Sequence, residues 1–350
     1  MKKLNNILKN CNSKYSINNF SNIEIKGVST FSKKIQNNFI FGAIKGENFN
    51  GENFLKDLIN LKKIVVVISN ESSIELKRFS SFIIIKTSDV KKLVSEISHA
   101  FYNYNLNEIV AVTGTNGKTT VADYTRQLWQ SIKINAASIG TLGVKFNDNQ
   151  IFNLNLTTPE SIDLQKILSF LSKNNCKKAI LEASSIGIDQ KRLFKMKFNQ
   201  VVFTNLTNDH LDYHKNFNKY KESKGNLFQD YVYKNTVAVI NADDKYSEYF
   251  KNICRLKKIK FLDFGKKADF LRILKIKKEI KSFFLEIKIN NKKLKISINS
   301  LTKYDIYNKL CALLIVFGNN IKNNHIDLLN FLKSPPGRLE KINSQNLNVF

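Results

Sequence analysis

Residues 112–125 read Val-Thr-Gly-Thr-Asn-Gly-Lys-Thr-Thr-Val-Ala-Asp-Tyr-Thr. Glycines in such a turn let backbone N–H groups point at oxygen anions, and a helix that follows adds the positive end of its dipole. The apolar run Ile109 to Val112 supplies a strand before the turn. In this order Gly114, Thr115, Asn116 and Gly117 form a phosphate cradle, with the N–H groups around Gly114, Asn116 and Gly117 directed at the ligand. Lys118 then reaches the β- and γ-phosphates, Thr119 offers its hydroxyl to Mg²⁺, and Thr120 enters the helix. A standard P-loop has its first glycine five positions before the Gly-Lys pair, where this chain has Val112, so the loop is a shortened variant.

Three further stretches carry chemistry-bearing residues. In residues 177–192, Glu182 ends an apolar run and precedes Ser184 and Ser185. A carboxylate there suits Mg²⁺, which takes few protein ligands plus phosphate oxygens and water. Taken alone, an acidic residue ending a strand is more often a cap or a surface charge. Ser184, Gln190 and Arg192 could bind a polar or anionic ligand. Residues 205–214 gather Asp209, His210, Asp212 and His214. Zinc sites draw on longer spacings and no cysteine is near, so a Mg²⁺–nucleotide role for His210 or Asp209 fits better. The third stretch is a helix over 216–231, where Lys224 falls inside the apolar stripe of Phe217, Tyr220, Leu227, Phe228 and Tyr231. Helical geometry alone favours a lysine that snorkels to water. Were it buried instead, its amine would lose its charge more readily and could add CO₂ to form a carbamate.

The elements that must position these groups are legible as rhythm. Residues 1–106 hold short strand-like runs separated by polar turns, a small α/β unit. From 107 onward apolar runs end in polar loops and alternate with helical stretches, which predicts a mostly parallel sheet with flanking crossover helices. The polar motifs sit where such sheets bind ligands, beyond the carboxyl ends of the strands. Residues 270–300 predict a hairpin or meander with its turn at Asn290–Asn291. Pro335–Pro336–Gly337 predicts a boundary near 335. The organisation expected is 1–106, 107–335 and a linker at 336–350.

Composition narrows the partners. The formal charge of +27 comes from lysines spread along the chain, with no Arg-rich block and no nucleic-acid motif, and it would favour ATP or a nucleotide sugar. Four dispersed cysteines suit a reducing compartment. The basic N-terminus lacks an apolar core and no run approaches the ~20 apolar residues of a membrane span. A cytoplasmic protein with neither membrane nor nucleic-acid partners is expected.

Taken together, Thr-Gly-Thr-Asn-Gly-Lys-Thr-Thr, Leu-Thr-Thr-Pro-Glu-Ser, Glu-Ala-Ser-Ser-Ile-Gly-Ile-Asp-Gln-Lys-Arg, Asn-Leu-Thr-Asn-Asp-His-Leu-Asp-Tyr-His, Tyr-Lys-Glu-Ser-Lys-Gly-Asn-Leu-Phe, Val-Ile-Asn-Ala-Asp-Asp and Pro-Pro-Gly-Arg-Leu-Glu resemble, in this order, the Mur ligases. The segment 32–51 has the spacing of that family's uridine-binding stretch, with Ser32–Lys33 where Ser-Arg is usual. The resemblance implies an N-terminal UDP-sugar-binding domain and a central P-loop domain. It also implies an ATP- and Mg²⁺-dependent amide ligase of peptidoglycan precursor synthesis, which adds a diamino acid (meso-diaminopimelate or L-Lys) to UDP-N-acetylmuramoyl-L-Ala-D-Glu through an acyl phosphate. Residue by residue it implies Lys118, Lys224 and His210 in catalysis, with Lys224 carbamoylated, and Thr119, Glu182, His210 and Lys224 around Mg²⁺. Gly114 to Thr120 would hold ATP, and Ser32, Thr157, Thr158, Ser184, Gln190 and Arg192 the UDP-muramoyl-dipeptide. The chain departs from the family pattern at Ile186, where a histidine is usual, at Lys215 and Thr302, where glycines are usual, and at Asp305, where an asparagine is usual, while Asn308 is kept. The family carries a third domain after Gly-Arg-x-Glu, and the sequence in hand ends close to where it would begin. Supply of that domain in trans, or a non-catalytic module binding UDP-muramoyl-dipeptide and ATP, are the alternatives this leaves open.

Overall fold

β-branched residues concentrated in runs too short for helices set the sheets. Val65–Ser69 and Ile83–Thr87 are the clearest case: Val65, Val67, Ile83 and Ile85 enter one apolar cluster with Leu4, Ile7, Leu93 and Ile97, whereas Val66, Ile68 and Ile84 enter another with Phe41, Leu55, Leu58 and Phe82. Alternate side chains of a strand point to opposite faces, so one sheet serves two cores. The computed structural model describes residues 2–46, 49–280, 282–290, 292–338, 342–344 and 347–349. Glu47 and Asn48 of the expected uridine-binding stretch, Asn291 of the expected turn, Leu339 and Glu340 of the proline-rich motif, and residues 341, 345, 346 and 350 of the expected linker lie outside the described residues.

Residues up to Tyr104, with Glu160–Phe170 and Lys191–Lys195, form one compact unit; Asn105–Pro159, Leu171–Gln190 and the residues from Met196 on form the other. The first has a five-stranded sheet in the order Tyr15–Asn18, Ile83–Thr87, Val65–Ser69, Phe39–Gly42, Gly27–Ser29, parallel except for its first strand. Helix Val90–Phe101 is started by Asp89, whose carboxylate accepts from Lys92 N–H at 2.9 Å.

Among the described residues the second unit has an eleven-stranded sheet. It is parallel through Ala136–Gly140, Lys178–Glu182, Glu108–Thr113, Gln200–Phe203, Val237–Asn241, Lys260–Gly265 and Leu271–Lys278, with antiparallel strands at both edges. The expected meander is present as Leu271–Lys278, Ser282–Ile289 and Lys292–Asn299. The chain runs from Glu108–Thr113 toward one edge and later returns to build outward from Gln200–Phe203 on its other side. In α/β sheets, ligands bind beyond the carboxyl ends of the strands where the order reverses in this way. Helix Lys118–Ser131 covers the sheet with Val121, Tyr124, Leu128 and Trp129, and helix Lys303–Phe317 adds Ile306, Leu310, Leu313 and Leu314 to the same core. Among the described residues no helix is long and apolar enough to cross a membrane.

One buried ion pair secures the turn into the edge meander. Lys251 Nζ donates to Asp263 Oδ2 at 2.7 Å, and Asp263 Oδ1 accepts the N–H groups of Asp269 and Phe270 at 3.0 and 2.8 Å. Both side chains are buried, so removing Asp263 leaves two buried N–H groups without their acceptor and Lys251 with only the more distant Glu248, 3.5 Å away. Asp263→Ala is expected to cost about 3–5 kcal/mol of stability. Asp263→Asn keeps an acceptor for the two N–H groups and should cost less. Thermal unfolding followed by circular dichroism orders the three proteins, and equal melting temperatures would refute this role.

Candidate active site

The loop after strand Glu108–Thr113 depends on two glycines in backbone conformations that side chains resist. Gly114 has φ +149° and Gly117 φ +88°; a Cβ would lie 1.9 Å from Thr204 Oγ1 at the first and 2.6 Å from Asn308 Oδ1 at the second. Asn308, the residue kept in the variant helix motif, thus packs directly on the loop. Neighbouring strand ends tie the loop down: Thr204 Oγ1 and Asn205 Nδ2 donate to Asn116 O at 2.6 and 3.0 Å. Thr115 N–H donates to Asn205 O at 2.8 Å and Asn116 N–H to Asn205 Oδ1 at 3.0 Å. The expectation that Asn116 N–H faces the ligand is therefore corrected, because Asn205 consumes it in holding the loop. The donors left for an anion are farther on. Helix Lys118–Ser131 makes its first internal bond from Val121 N–H to Gly117 O, so the N–H groups of Lys118, Thr119 and Thr120 have no partner within the helix.

Two lysines converge on one oxygen. Lys118 Nζ donates to Gly114 O and Thr115 O, each at 2.8 Å, and Lys224 Nζ donates to the same Gly114 O at 2.9 Å. Lys224 is 1% exposed, so the stripe on helix Phe217–Asp230 is buried through the lysine and does not let it snorkel, contrary to the reading from helical geometry. Its pKa falls well below the ordinary 10.5 because burial penalises the ammonium form and Lys118 repels it, with Asp209 pulling weakly back. Lys118 is lowered too, first by burial, while Glu182 and Asp209 counter. Tyr220 lines the same wall: its hydroxyl lies 2.9 Å from Thr115 Oγ1 and its ring 4.6 Å below Lys224 Nζ.

Beside the lysines, Thr119 Oγ1 donates to Glu182 Oε2 at 2.9 Å. Thr141 completes that carboxylate's shell, its N–H donating to Oε1 at 2.8 Å and its hydroxyl to Oε2 at 3.2 Å. Burial pushes the Glu182 carboxyl up from its usual range, and the Thr141 N–H, the Thr119 hydroxyl and Lys118 draw it back down. A hydroxyl and a carboxylate beside phosphate-directed N–H groups form a hard-oxygen set that fits Mg²⁺. His210 stands at the start of the short helix Leu211–His214, half-exposed, with φ +50° and its Nε2 3.5 Å from Asp209. Among the described residues no three His, Cys, Asp or Glu side chains gather as a metal cluster, and His214 turns inward against Tyr213 and Tyr220.

The candidates for the second ligand divide. Thr158 is fully buried; its hydroxyl donates to Glu182 O at 2.8 Å, accepts Ser184 N–H at 2.9 Å and lies 3.0 Å from Ser184 Oγ. Ser184 caps helix Ser185–Asp189 by accepting Gly187 N–H at 3.1 Å. Thr157 is half-buried and meets Thr141 Oγ1 at 3.2 Å; Gln190 is half-buried at the end of that helix. Ser32 and Arg192 belong to the first unit, where Ser32 Oγ donates to Asp57 at 3.1 Å and Arg192 Nε to Glu160 at 3.0 Å. Sequence reasoning passed over Thr141, Asn205 and Tyr220. The first two also follow apolar strands at their carboxyl ends, the rule that selected Glu182, but neither carries a charge to draw notice.

Known proteins resemble this chain over most of its length. The Mur ligase middle domain matches residues 112–316. The UDP-N-acetylmuramoyl-L-alanyl-D-glutamate–2,6-diaminopimelate ligase of Rickettsia prowazekii is 33% identical over 341 residues, covering 96% of this chain and 70% of that protein. The ligase of the same name from Aquifex aeolicus is 30% identical over 328 residues, covering 93% and 65%. A solved structure of a ligase of that name superposes with a TM-score of 0.76 at 25% identity over 92% of this chain and 65% of that one. MurF from Acinetobacter baumannii shares the fold, with a TM-score of 0.69 at 15% identity, covering 99% and 71%. The chain thus spans between 65% and 71% of the length of these relatives.

The buried amine has a consequence for stability. Because the Lys224 pKa is depressed on folding, the unfolded chain holds that proton more tightly, and stability rises with pH between the folded value and about 10.5. Lys224→Met is expected to remove this component and raise the melting temperature near pH 7. The gap between variant and wild type should then narrow from pH 7 to pH 9.5. A gap that stays constant across a pH series of thermal melts would show that Lys224 is not carried as a strained buried amine.

Proposed function

The chain belongs to the Mur ligase family, and we propose that it works as an ATP-dependent ligase that joins a diamino acid, meso-diaminopimelate or L-Lys, to UDP-N-acetylmuramoyl-L-Ala-D-Glu. The observation that carries this reading is the pairing of buried Lys224 and half-buried Lys118 on Gly114 O, with the Thr119–Glu182 contact at the start of one helix. Such a wall suits a polyphosphate: Lys118 exchanges its carbonyl partners for phosphate oxygens, and the N–H groups of Lys118, Thr119 and Thr120 meet the remaining charge. Thr119 and Glu182 are the residues that would hold Mg²⁺, with His210 and a carbamoylated Lys224 as further ligands. Bound there, Mg²⁺ offsets phosphate charge as it develops.

The chemistry follows from the weakness of a carboxylate as an acyl donor. A D-Glu carboxylate oxygen attacks the γ-phosphorus of ATP, the bond to the departing ADP breaks, and an acyl phosphate forms. The diamino acid's amine then adds to the acyl carbon, and collapse of the tetrahedral adduct expels inorganic phosphate and leaves an amide. Lys118 stabilises the charge that builds on the transferred phosphoryl group, and the fixed loop holds the reactants in line. Ser32, Thr157, Thr158, Ser184, Gln190 and Arg192 are assigned to the UDP-muramoyl-dipeptide. Buried Thr158 acts on it by fixing Ser184.

Isothermal titration of the chain with UDP-N-acetylmuramoyl-L-Ala-D-Glu, and separately with Mg²⁺ and a non-hydrolysable ATP analogue, tests the reading. Both should bind, and Lys118→Ala should weaken the nucleotide at least about 10-fold, in line with loss of a charge-assisted contact. ADP release that depends on meso-diaminopimelate or L-Lys would establish turnover. Binding of both ligands without turnover would favour the non-catalytic module, and binding of neither by folded protein would overturn the assignment.

A further inference from the structure

The Glu182 carboxylate and Thr157 are joined by a single side chain that neither function absorbs. Thr141 follows strand Ala136–Gly140, and its hydroxyl lies 3.2 Å from Glu182 Oε2 and 3.2 Å from Thr157 Oγ1. The carboxylate is held close at this point, since a Cβ at Gly140 would fall 2.0 Å from Glu182 Oε1. Glu182 belongs to the nucleotide side of the proposed site and Thr157 to the UDP-sugar side.

We propose that Thr141 is a positioning residue that couples the two ligands' affinities; the inference rests on the function proposed above. A threonine hydroxyl has one hydrogen to give. An ionised carboxylate only accepts, so facing Glu182 Thr141 donates to Oε2, and the Thr141–Thr157 contact must then use the hydrogen of Thr157. Once Glu182 Oε2 is engaged by a divalent cation, its demand for that hydrogen falls. Thr141 can then donate to Thr157, and Thr157 is free to donate to an anionic or carbonyl oxygen of the second ligand. Occupancy of the nucleotide side thereby prepares a donor for the UDP-sugar ligand, and linkage makes the effect reciprocal.

The test is a titration cycle with the whole chain: UDP-N-acetylmuramoyl-L-Ala-D-Glu is titrated with and without Mg²⁺ and a non-hydrolysable ATP analogue. The wild type should bind the UDP-sugar about 5- to 20-fold tighter when the nucleotide complex is present. Thr141→Val keeps the shape and the N–H bond to Oε1 but lacks the hydroxyl; it should reduce this coupling to less than about 2-fold, whatever it does to each ligand's separate affinity. Thr141→Ser should restore coupling, which a purely structural role would not require. Thr157→Val breaks the other end of the same chain and should also abolish coupling, whatever it does to UDP-sugar affinity. Coupling of wild-type size in Thr141→Val, or no coupling in a wild type that binds both ligands, overturns the inference. Failure of the wild type to bind either ligand overturns the functional reading on which it rests.

Discussion

Two amines compete for the carbonyl oxygen of Gly114, and much of the second unit is arranged around that fact. Lys118 and Lys224 both reach it, Lys224 buried and Lys118 half-buried as the first residue of helix Lys118–Ser131. At an effective dielectric of about 20, two ammonium ions sharing one acceptor oxygen repel by roughly 3–4 kcal/mol. The arrangement is tolerable if one amine gives up its proton, if Lys224 is converted to the proposed carbamate, or if an anion enters between them. A depressed Lys224 pKa describes the first outcome, and a polyphosphate supplies the third. Held this close, the two amines carry a charge conflict that the proposed anionic ligand would relieve, a cost in stability common where binding groups are pre-organised.

Rigidity around this wall comes from neutral contacts. Asn205 and Thr204 pin the loop from the adjacent strand, Asn308 closes over Gly117 from helix Lys303–Phe317, and Tyr220 links the loop to the helix that carries Lys224. None of these side chains is charged, so they fix geometry without adding to the electrostatic conflict. The same division holds at Glu182, where Thr119 and Thr141 orient the carboxylate and Lys118 acts on it through charge.

The departures from the family pattern have local physical accommodations. Asp305 accepts from Tyr124 OH at 2.5 Å and Ser300 Oγ at 2.6 Å and lies 3.5 Å from Lys309 Nζ, so a buried carboxylate is fully engaged where an amide is usual. Thr302 caps helix Lys303–Phe317 by accepting Asp305 N–H at 3.2 Å, a service a glycine cannot perform with a side chain. Lys215 adopts φ +65°, the conformation glycine occupies at no steric cost, and the lysine bears the strain of taking its place. Nothing in the structure explains Ile186.

What the sequence by itself determined is local. β-branched runs specified the strands, glycine and lysine order specified the phosphate loop, and strand ends specified where polar residues would matter, because backbone preference and side-chain period act over a few neighbours. The meander at 271–299 and the helix at Phe217–Asp230 were legible on the same grounds. Only the tertiary structure decided which oxygen Lys224 meets, since one helical stripe is compatible with either a snorkelling or a buried amine and the answer lies 110 residues away at Gly114. It alone showed that Asn116 N–H is consumed by Asn205 and that Thr158 is internal. It alone brought Thr141 between Glu182 and Thr157, from separate strand ends that parallel pairing sets side by side. Contacts of that kind depend on register between distant segments, and register is a property of the assembled sheet.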